Sequence, residues 1–156
     1  VTGAETAIEA IDYLLGSREV GENVAVIGGG LTGCEIAYDL YLKGKHPTII
    51  EMQDDLITTK GICLANTSYL RDFFKTNKVP VFLETSLSQI KSGSVELIDK
   101  TGNQFALPAD SVIMSVGYTP APIAAKGKHI HVIGDAAKVG NLRTVIWGAW
   151  DVCMKL

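Results

Sequence analysis

The stretch Gly28-Gly29-Gly30-Leu31-Thr32-Gly33 constrains this chain more than any other. It follows the apolar run Val24-Ala25-Val26-Ile27 and leads into Cys34-Glu35-Ile36-Ala37-Tyr38-Asp39-Leu40. A strand, a glycine turn and a helix therefore stand in the order that a dinucleotide pyrophosphate needs. Gly28 permits the tight turn, Gly30 lets the backbone approach phosphate, and Gly33 lets the helix pack closely on the strand. The first helical N–H groups, from Leu31 and Thr32 onward, and the positive end of the helix dipole then face an anion.

Glycine-rich turns are common, so the context matters. An acidic residue is required at the end of the next strand, about twenty residues on, to hold a ribose diol. Pro47-Thr48-Ile49-Ile50 is a short strand and Glu51 ends it. A carboxylate there accepts from the ribose hydroxyls and repels a 2′-phosphate. Met52, Gln53, Asp54 and Asp55 bring no Arg or Lys to pair with such a phosphate. The expected ligand is NAD(H) rather than NADP(H). The bland alternative makes Glu51 a solvated strand-end residue.

Composition narrows the remainder. A chain of 156 residues, 47% hydrophobic and 20% charged, suffices for a compact α/β core and argues against wholesale disorder. A net charge of −3 without a Lys/Arg cluster argues against a nucleic-acid partner. No apolar run reaches the length of a membrane span, and no secretory signal is visible, so a cytoplasmic location is expected. Cys34, Cys63 and Cys153 include no CxxC pair and fit reduced thiols. Cys34 lies near a helix start, where a thiolate is favoured, yet a small buried packing role is the simpler expectation.

The periodicity predicts an α/β fold: a Rossmann-like, three-layer domain whose parallel sheet carries an inserted three-stranded antiparallel meander. Thr2-Gly3-Ala4-Glu5 reads as a capping box for a helix with Ala7, Ile8, Ile11, Leu14 and Leu15 on one face and Gly16 at its end. Asn23–Ile27, Leu31–Lys43 and Thr48–Glu51 form a βαβ unit, with Gly44 capping its helix. Leu64–Thr76 is helical, with Leu64, Tyr69, Leu70, Phe73 and Phe74 mostly inward, and Val79–Leu83 continues the sheet. Ser86–Lys91, Ser94–Asp99 and Asn103–Leu107 form the meander. Val112–Val116 returns to a strand, His129–Ile133 is another, and about Leu142 to Lys155 is helical.

Weaker signals favour bland readings. Tyr41 and Lys45 spell YxxxK, but on the wrong helix for the catalytic pair of short-chain dehydrogenases. His129 and His131 share a strand face without a third metal ligand in view. Trp147 and Trp150 suit a core or an interface with a further domain. Exposed, they would form an adhesive patch through which copies of the chain associate.

Two further motifs complete the pattern. One is Asp110-Ser111-Val112-Ile113-Met114-Ser115-Val116-Gly117-Tyr118-Thr119-Pro120; the other is Val132-Ile133-Gly134-Asp135-Ala136-Ala137, followed by Asn141-Leu142-Arg143-Thr144-Val145-Ile146-Trp147-Gly148-Ala149. With the turn at Gly28–Gly33, this order resembles the two-dinucleotide-binding flavoproteins of the disulfide-reductase type. It is most similar to the C-terminal part of enoate reductases and 2,4-dienoyl-CoA reductases, ene-reductases that also carry an Old Yellow Enzyme-like barrel.

The resemblance implies that Gly134 and Asp135 belong to an FAD site and that the backbone near Thr144 and Val145 approaches the flavin. It puts Glu35 near the nicotinamide, where the alternative is a dipole-favoured acid in the first helical turn, and lets Gly117 cross close to the dinucleotide. Residues 1–120 would be the NAD(H)-binding domain with its N-terminal helix. Residues 121–156 would belong to a split FAD-binding domain. The chain begins at Val1, not Met, and lacks the other FAD-binding half, the FMN barrel and the cysteines of an iron–sulfur cluster. The expectation is an excised module with weak or no FAD binding of its own, whose partners are those missing domains and a small nucleotide. Its share of the chemistry is to orient NADH for hydride transfer to FAD, en route to an activated C=C bond. An NADH oxidase or ferredoxin reductase-like flavoprotein is the alternative, as is a non-catalytic nucleotide-binding domain.

Overall fold

The computed structural model describes residues 1–59, 61 and 63–156. They form two compact units, Val1–Val116 and Gly117–Leu156.

The first unit is built on a five-stranded parallel sheet. Its strands are β1 (Ile8–Glu9), β2 (Asn23–Ile27), β3 (His46–Ile50), β4 (Val81–Phe82) and β8 (Ser111–Met114), in the order β1-β8-β2-β3-β4. Helices α1 (Ala10–Leu14), α2 (Leu31–Leu42) and α3 (Leu64–Thr76) connect them. Strands β5 (Thr85–Lys91), β6 (Ser94–Asp99) and β7 (Gln104–Pro108) make a separate antiparallel sheet, inserted between β4 and β8.

Period-two alternation in the strands produces three layers. Val24, Val26, Ile49 and Ile113 point to the helical side, where Cys34, Ile36, Leu40, Leu70 and Phe74 meet them. Ala25, Ile27, Ile50 and Val112 point the other way and pack against Ile90, Val95 and Leu97 of the meander. The strands are apolar on both faces because both are covered, as expected of a parallel sheet. The meander turns at Gly93 and Gly102, whose φ values of 77° and 86° suit glycine.

The N-terminal helix expected from Thr2 is not formed. Ala4–Thr6 is a single 3₁₀ turn with Gly3 at its N-cap and no side-chain cap. The Thr2 carbonyl instead accepts from the Ile90 amide of β5. Ile8 pairs with Ile113 at the sheet edge, and the helix begins only at Ala10. That later start changes the buried face: Ala10 and Tyr13 are inside, whereas Ile11, Leu14 and Leu15 are exposed. Sheet pairing outweighs local capping here, because a capping box contributes only about 1 kcal/mol. The helix α3 has the expected bounds, but only part of its expected inward face. Leu70 and Phe74 are buried, while Leu64 and Tyr69 lie on the surface.

In the second unit, α4 (Leu142–Cys153) is the main element, and Gly134–Ala136 is a 3₁₀ turn. The expected strand at His129–Ile133 is absent; a lone bridge joins Gly127 and Ile130. Within this unit the segment has no sheet to pair with, and an unpaired strand is not stable. His129 and His131 are therefore exposed loop residues and share no strand face. Asn141 and Thr144 close a capping box on α4.

Candidate functional site

The glycine turn sits at the carboxyl ends of the parallel strands β2 and β3, where ligands bind in open α/β sheets. Gly28 takes φ 105°, and its amide donates to the Ile50 carbonyl at 2.8 Å. A Cβ on Gly28 would lie 2.3 Å from the Ser115 carbonyl oxygen, and one on Gly33 would lie 1.9 Å from the Gly28 oxygen. These two glycines hold backbone against backbone. Gly30 differs: its φ is −67°, and a Cβ there would meet nothing within 4 Å. What Gly30 leaves open is space in front of the turn.

The amides at that opening are uncommitted. Gly30 caps α2 by accepting from the Cys34 amide. Among the described residues, the N–H groups of Gly30, Leu31, Thr32 and Gly33 have no acceptor. Four orphan donors, a helix N-terminus and room at Gly30 suit an oxyanion such as a pyrophosphate. The fingerprint residues thus fit that group.

Glu51 is 8% exposed, not solvated. Its Oε2 accepts from the Gly29 amide at 2.5 Å and its Oε1 from the Gln53 amide at 2.7 Å. The carboxylate thereby ties the end of β3 to the glycine turn. It has about four acceptor positions and these bonds use two, so ribose hydroxyls have acceptors left.

Glu35 is exposed in the second turn of α2, and the first turn holds no acid. The dipole-cap alternative for Glu35 is thereby corrected, since the favourable field is confined to the first turn. Cys34 is buried, and its thiol donates to the Gly29 carbonyl at 3.4 Å. Burial pushes this thiol up to about 12, with Arg71 opposing and the carboxylates of Glu51, Glu35 and Asp55 adding to the rise. A thiolate at this helix start is thus disfavoured. With iodoacetamide at pH 8, peptide mass spectrometry is expected to find Cys63 and Cys153, both exposed, alkylated and Cys34 unmodified.

The YxxxK residues do not meet. Tyr41 donates to Asn77 Oδ1 at 3.3 Å and Lys45 pairs with Glu22 at 2.8 Å. Among the described residues, no group of three His, Cys, Asp or Glu is placed to hold a metal, and no helix is long and apolar enough to cross a membrane.

In the second unit, Asp135 is exposed and its Oδ1 accepts from the Gly140 amide at 3.0 Å. Gly134 has φ 60°, and a Cβ there would touch the Val145 methyls at 3.3 Å. The amides of Thr144 and Val145 already donate to Asn141, through its side chain and its carbonyl respectively. Among the described residues, the amides at this helix start without an acceptor are those of Leu142 and Arg143. Gly117 takes φ 95° with open space where a side chain would stand.

The family model for pyridine nucleotide-disulphide oxidoreductases matches residues 4–146. The chain belongs to that family. Membership implies binding of FAD and a nicotinamide dinucleotide. Among curated relatives, the chain is 35% identical to a cinnamate reductase of Clostridium sporogenes, over all of this chain and 24% of that protein. It is 30% identical to an NADH oxidase of Thermoanaerobacter brockii, over all of this chain and 26% of that one. The chain thus spans about a quarter of the length of these relatives. A solved 2-naphthoyl-CoA reductase superposes on the whole chain with a TM-score of 0.86 at 22% identity, a likeness of fold covering 24% of that chain.

Two features of this pyridine nucleotide-disulphide oxidoreductase chain are not legible in its sequence. One is Glu51's grip on the Gly29 amide. The other is Arg71, which holds the loop after Glu51: its Nε and Nη2 donate to the Asp55 carboxylate at 3.2 and 3.0 Å, and Nη2 also donates to the Leu56 carbonyl. Neither shows in periodicity, because the partners are 15 to 22 residues apart.

Proposed function

We propose that this chain binds NADH as the electron-input module of a larger flavin-dependent oxidoreductase, one that reduces an activated C=C bond of the 2-enoate or dienoyl-CoA type. The observation that carries the reading is the open space at Gly30 beside four amides that have no acceptor among the described residues, with the buried Glu51 carboxylate bonded to the neighbouring Gly29 amide. The amides of Gly30–Gly33 would take the pyrophosphate, and Glu51 the adenosine ribose diol. An acid in that place, followed by Met52, Gln53, Asp54 and Asp55 with no Arg or Lys among them, favours NADH over NADPH. Arg71 does not alter this, since it is committed to Asp55 and Leu56.

When bound, NADH supplies a hydride that FAD accepts. Gly134, Asp135 and the start of α4 would contribute to the FAD site, with the Leu142 and Arg143 amides as its free donors and Thr144 and Val145 shaping the cap. Glu35 would stand near the nicotinamide, and Gly117 would give the chain a close crossing. FMN and an iron–sulfur cluster would lie on other domains of the parent. Those domains are also the natural cover for Ile146, Trp147 and Trp150 of α4, which are 57–65% exposed. The likeness to a cinnamate reductase supports the C=C substrate class, and a cytoplasmic location accords with this chemistry. The NADH oxidase relative supports a second reading, in which the same electron input serves a different acceptor.

Calorimetric titration tests the reading directly. The chain is expected to bind NADH at least about tenfold more tightly than NADPH, a difference of about 1.4 kcal/mol. Equal affinities would contradict the assignment of Glu51. Adding the flavin-binding remainder of the parent should then let NADH bleach the flavin absorbance.

A further inference from the structure

The loop after Glu51 is fastened to the glycine turn by a chain of peptide groups. It begins at Arg71 on α3, whose guanidinium donates to the Leu56 carbonyl. The same peptide carries the Ile57 N–H, which donates to the Gly29 carbonyl at 2.8 Å. The peptide that contains the Gly29 carbonyl also contains the Gly30 N–H, the first uncommitted amide of the cradle. Ile57 reaches this arrangement at φ 52°, a conformation that β-branched residues rarely adopt. Leu56 and Ile57 are both buried.

Two physical consequences follow. Every peptide here is trans and planar, so its C=O and N–H point in opposite directions. Pinning the Gly29 oxygen onto Ile57 therefore aims the Gly30 N–H away from the loop. Hydrogen bonds in series also polarise one another. A cation donating to the Leu56 oxygen makes Ile57 a better donor, and Ile57 in turn makes Gly30 a better donor.

We propose that Arg71 is a positioning residue that orients and strengthens the Gly30 amide through these two peptide units. Its charge then reaches a bound phosphate without touching it. The Asp55 carboxylate accepts from the same guanidinium by separate bonds, and Cys34 shares the Gly29 oxygen as a weak second donor. The ligand in this inference rests on the dinucleotide reading above; the relay itself is a property of the chain alone.

The experiment compares Arg71→Met, Arg71→Lys and Asp55→Asn. The first readout is the Gly30 amide proton shift in the ligand-free chain, by ¹H–¹⁵N correlation spectroscopy. The second is the NADH dissociation constant. Arg71→Met should move the Gly30 proton upfield and weaken NADH binding about five- to tenfold, the scale of one ordinary net hydrogen bond. Arg71→Lys, which keeps a cationic donor, should fall between Met and the parent in both. Asp55→Asn, which removes the ion pair but leaves the bond to Leu56, should stay near the parent. A parent-like Gly30 shift in Arg71→Met, or equal shifts in Asp55→Asn and Arg71→Met, overturns the relay. Should Arg71→Met fail to fold, a parent-like shift in Arg71→Lys with weakened NADH binding overturns it too. If the unmutated chain does not bind NADH, the dinucleotide reading falls, while the ligand-free shifts still decide the relay.

Discussion

Gly28→Ala is expected to destabilise the chain by about 3–5 kcal/mol, which a thermal melt or a urea titration would measure. A side chain at φ 105° costs about 1–3 kcal/mol by itself. The added Cβ would also lie 2.3 Å from the Ser115 carbonyl oxygen. That neighbour is backbone, held between β8 and β2 by the Ser115 amide's bond to the Ile27 oxygen, and so has little freedom to retreat. Domains of this size are stable by only about 5–15 kcal/mol, so such a loss is a large share of the total. Gly30→Ala makes the informative contrast. Its φ of −67° suits alanine and its Cβ would enter open space, so a cost below about 1 kcal/mol is expected. The same methyl fills the cradle, and NADH binding should weaken at least about tenfold. Melting temperatures for Gly28→Ala and Gly30→Ala that agree within error would refute this division between a structural and a ligand-facing glycine.

How far the sequence already contained this arrangement depends on the range of each interaction. The strand, turn and helix at Gly28–Gly33 were legible because each is set by neighbours a few residues apart. The meander was legible for the same reason, from glycine turns between short alternating runs. The first helix starts later than its residue pattern suggests because Ile8 can obey either a helical or a strand period. Only its partner Ile113, more than a hundred residues on, decides for the strand. The strand expected at His129–Ile133 failed for the converse reason: the residue pattern suits a strand, but within its unit no neighbour exists. At the site, the acid at Glu51 could be anticipated from spacing, whereas its bonds to the Gly29 and Gln53 amides could not. Arg71 left no signal at all, since a cation on an amphipathic helix ordinarily faces solvent.

Glu51→Gln is expected to separate the two duties of that side chain. The carboxylate now accepts from two backbone amides, and a carboxamide can serve only one of them with its oxygen. Its NH₂ would face the second amide donor to donor. Leaving one buried N–H unpaired costs about 1–3 kcal/mol, so the melting temperature of the nucleotide-free chain should fall by a few degrees. The second duty shows only with ligand present. A neutral side chain removes the repulsion toward a 2′-phosphate and one strong acceptor for the ribose diol. NADH should therefore bind more weakly, NADPH no more weakly, and the ratio of their dissociation constants should move toward unity. Glu51→Arg should carry the ratio further, because a guanidinium can pair with the phosphate. A lowered melting temperature with an unchanged ratio would make Glu51 a brace for the turn and nothing more. A changed ratio at an unchanged melting temperature would instead mean that the bonds to Gly29 and Gln53 contribute little. The carboxylate acts in both ways only if the two quantities shift together.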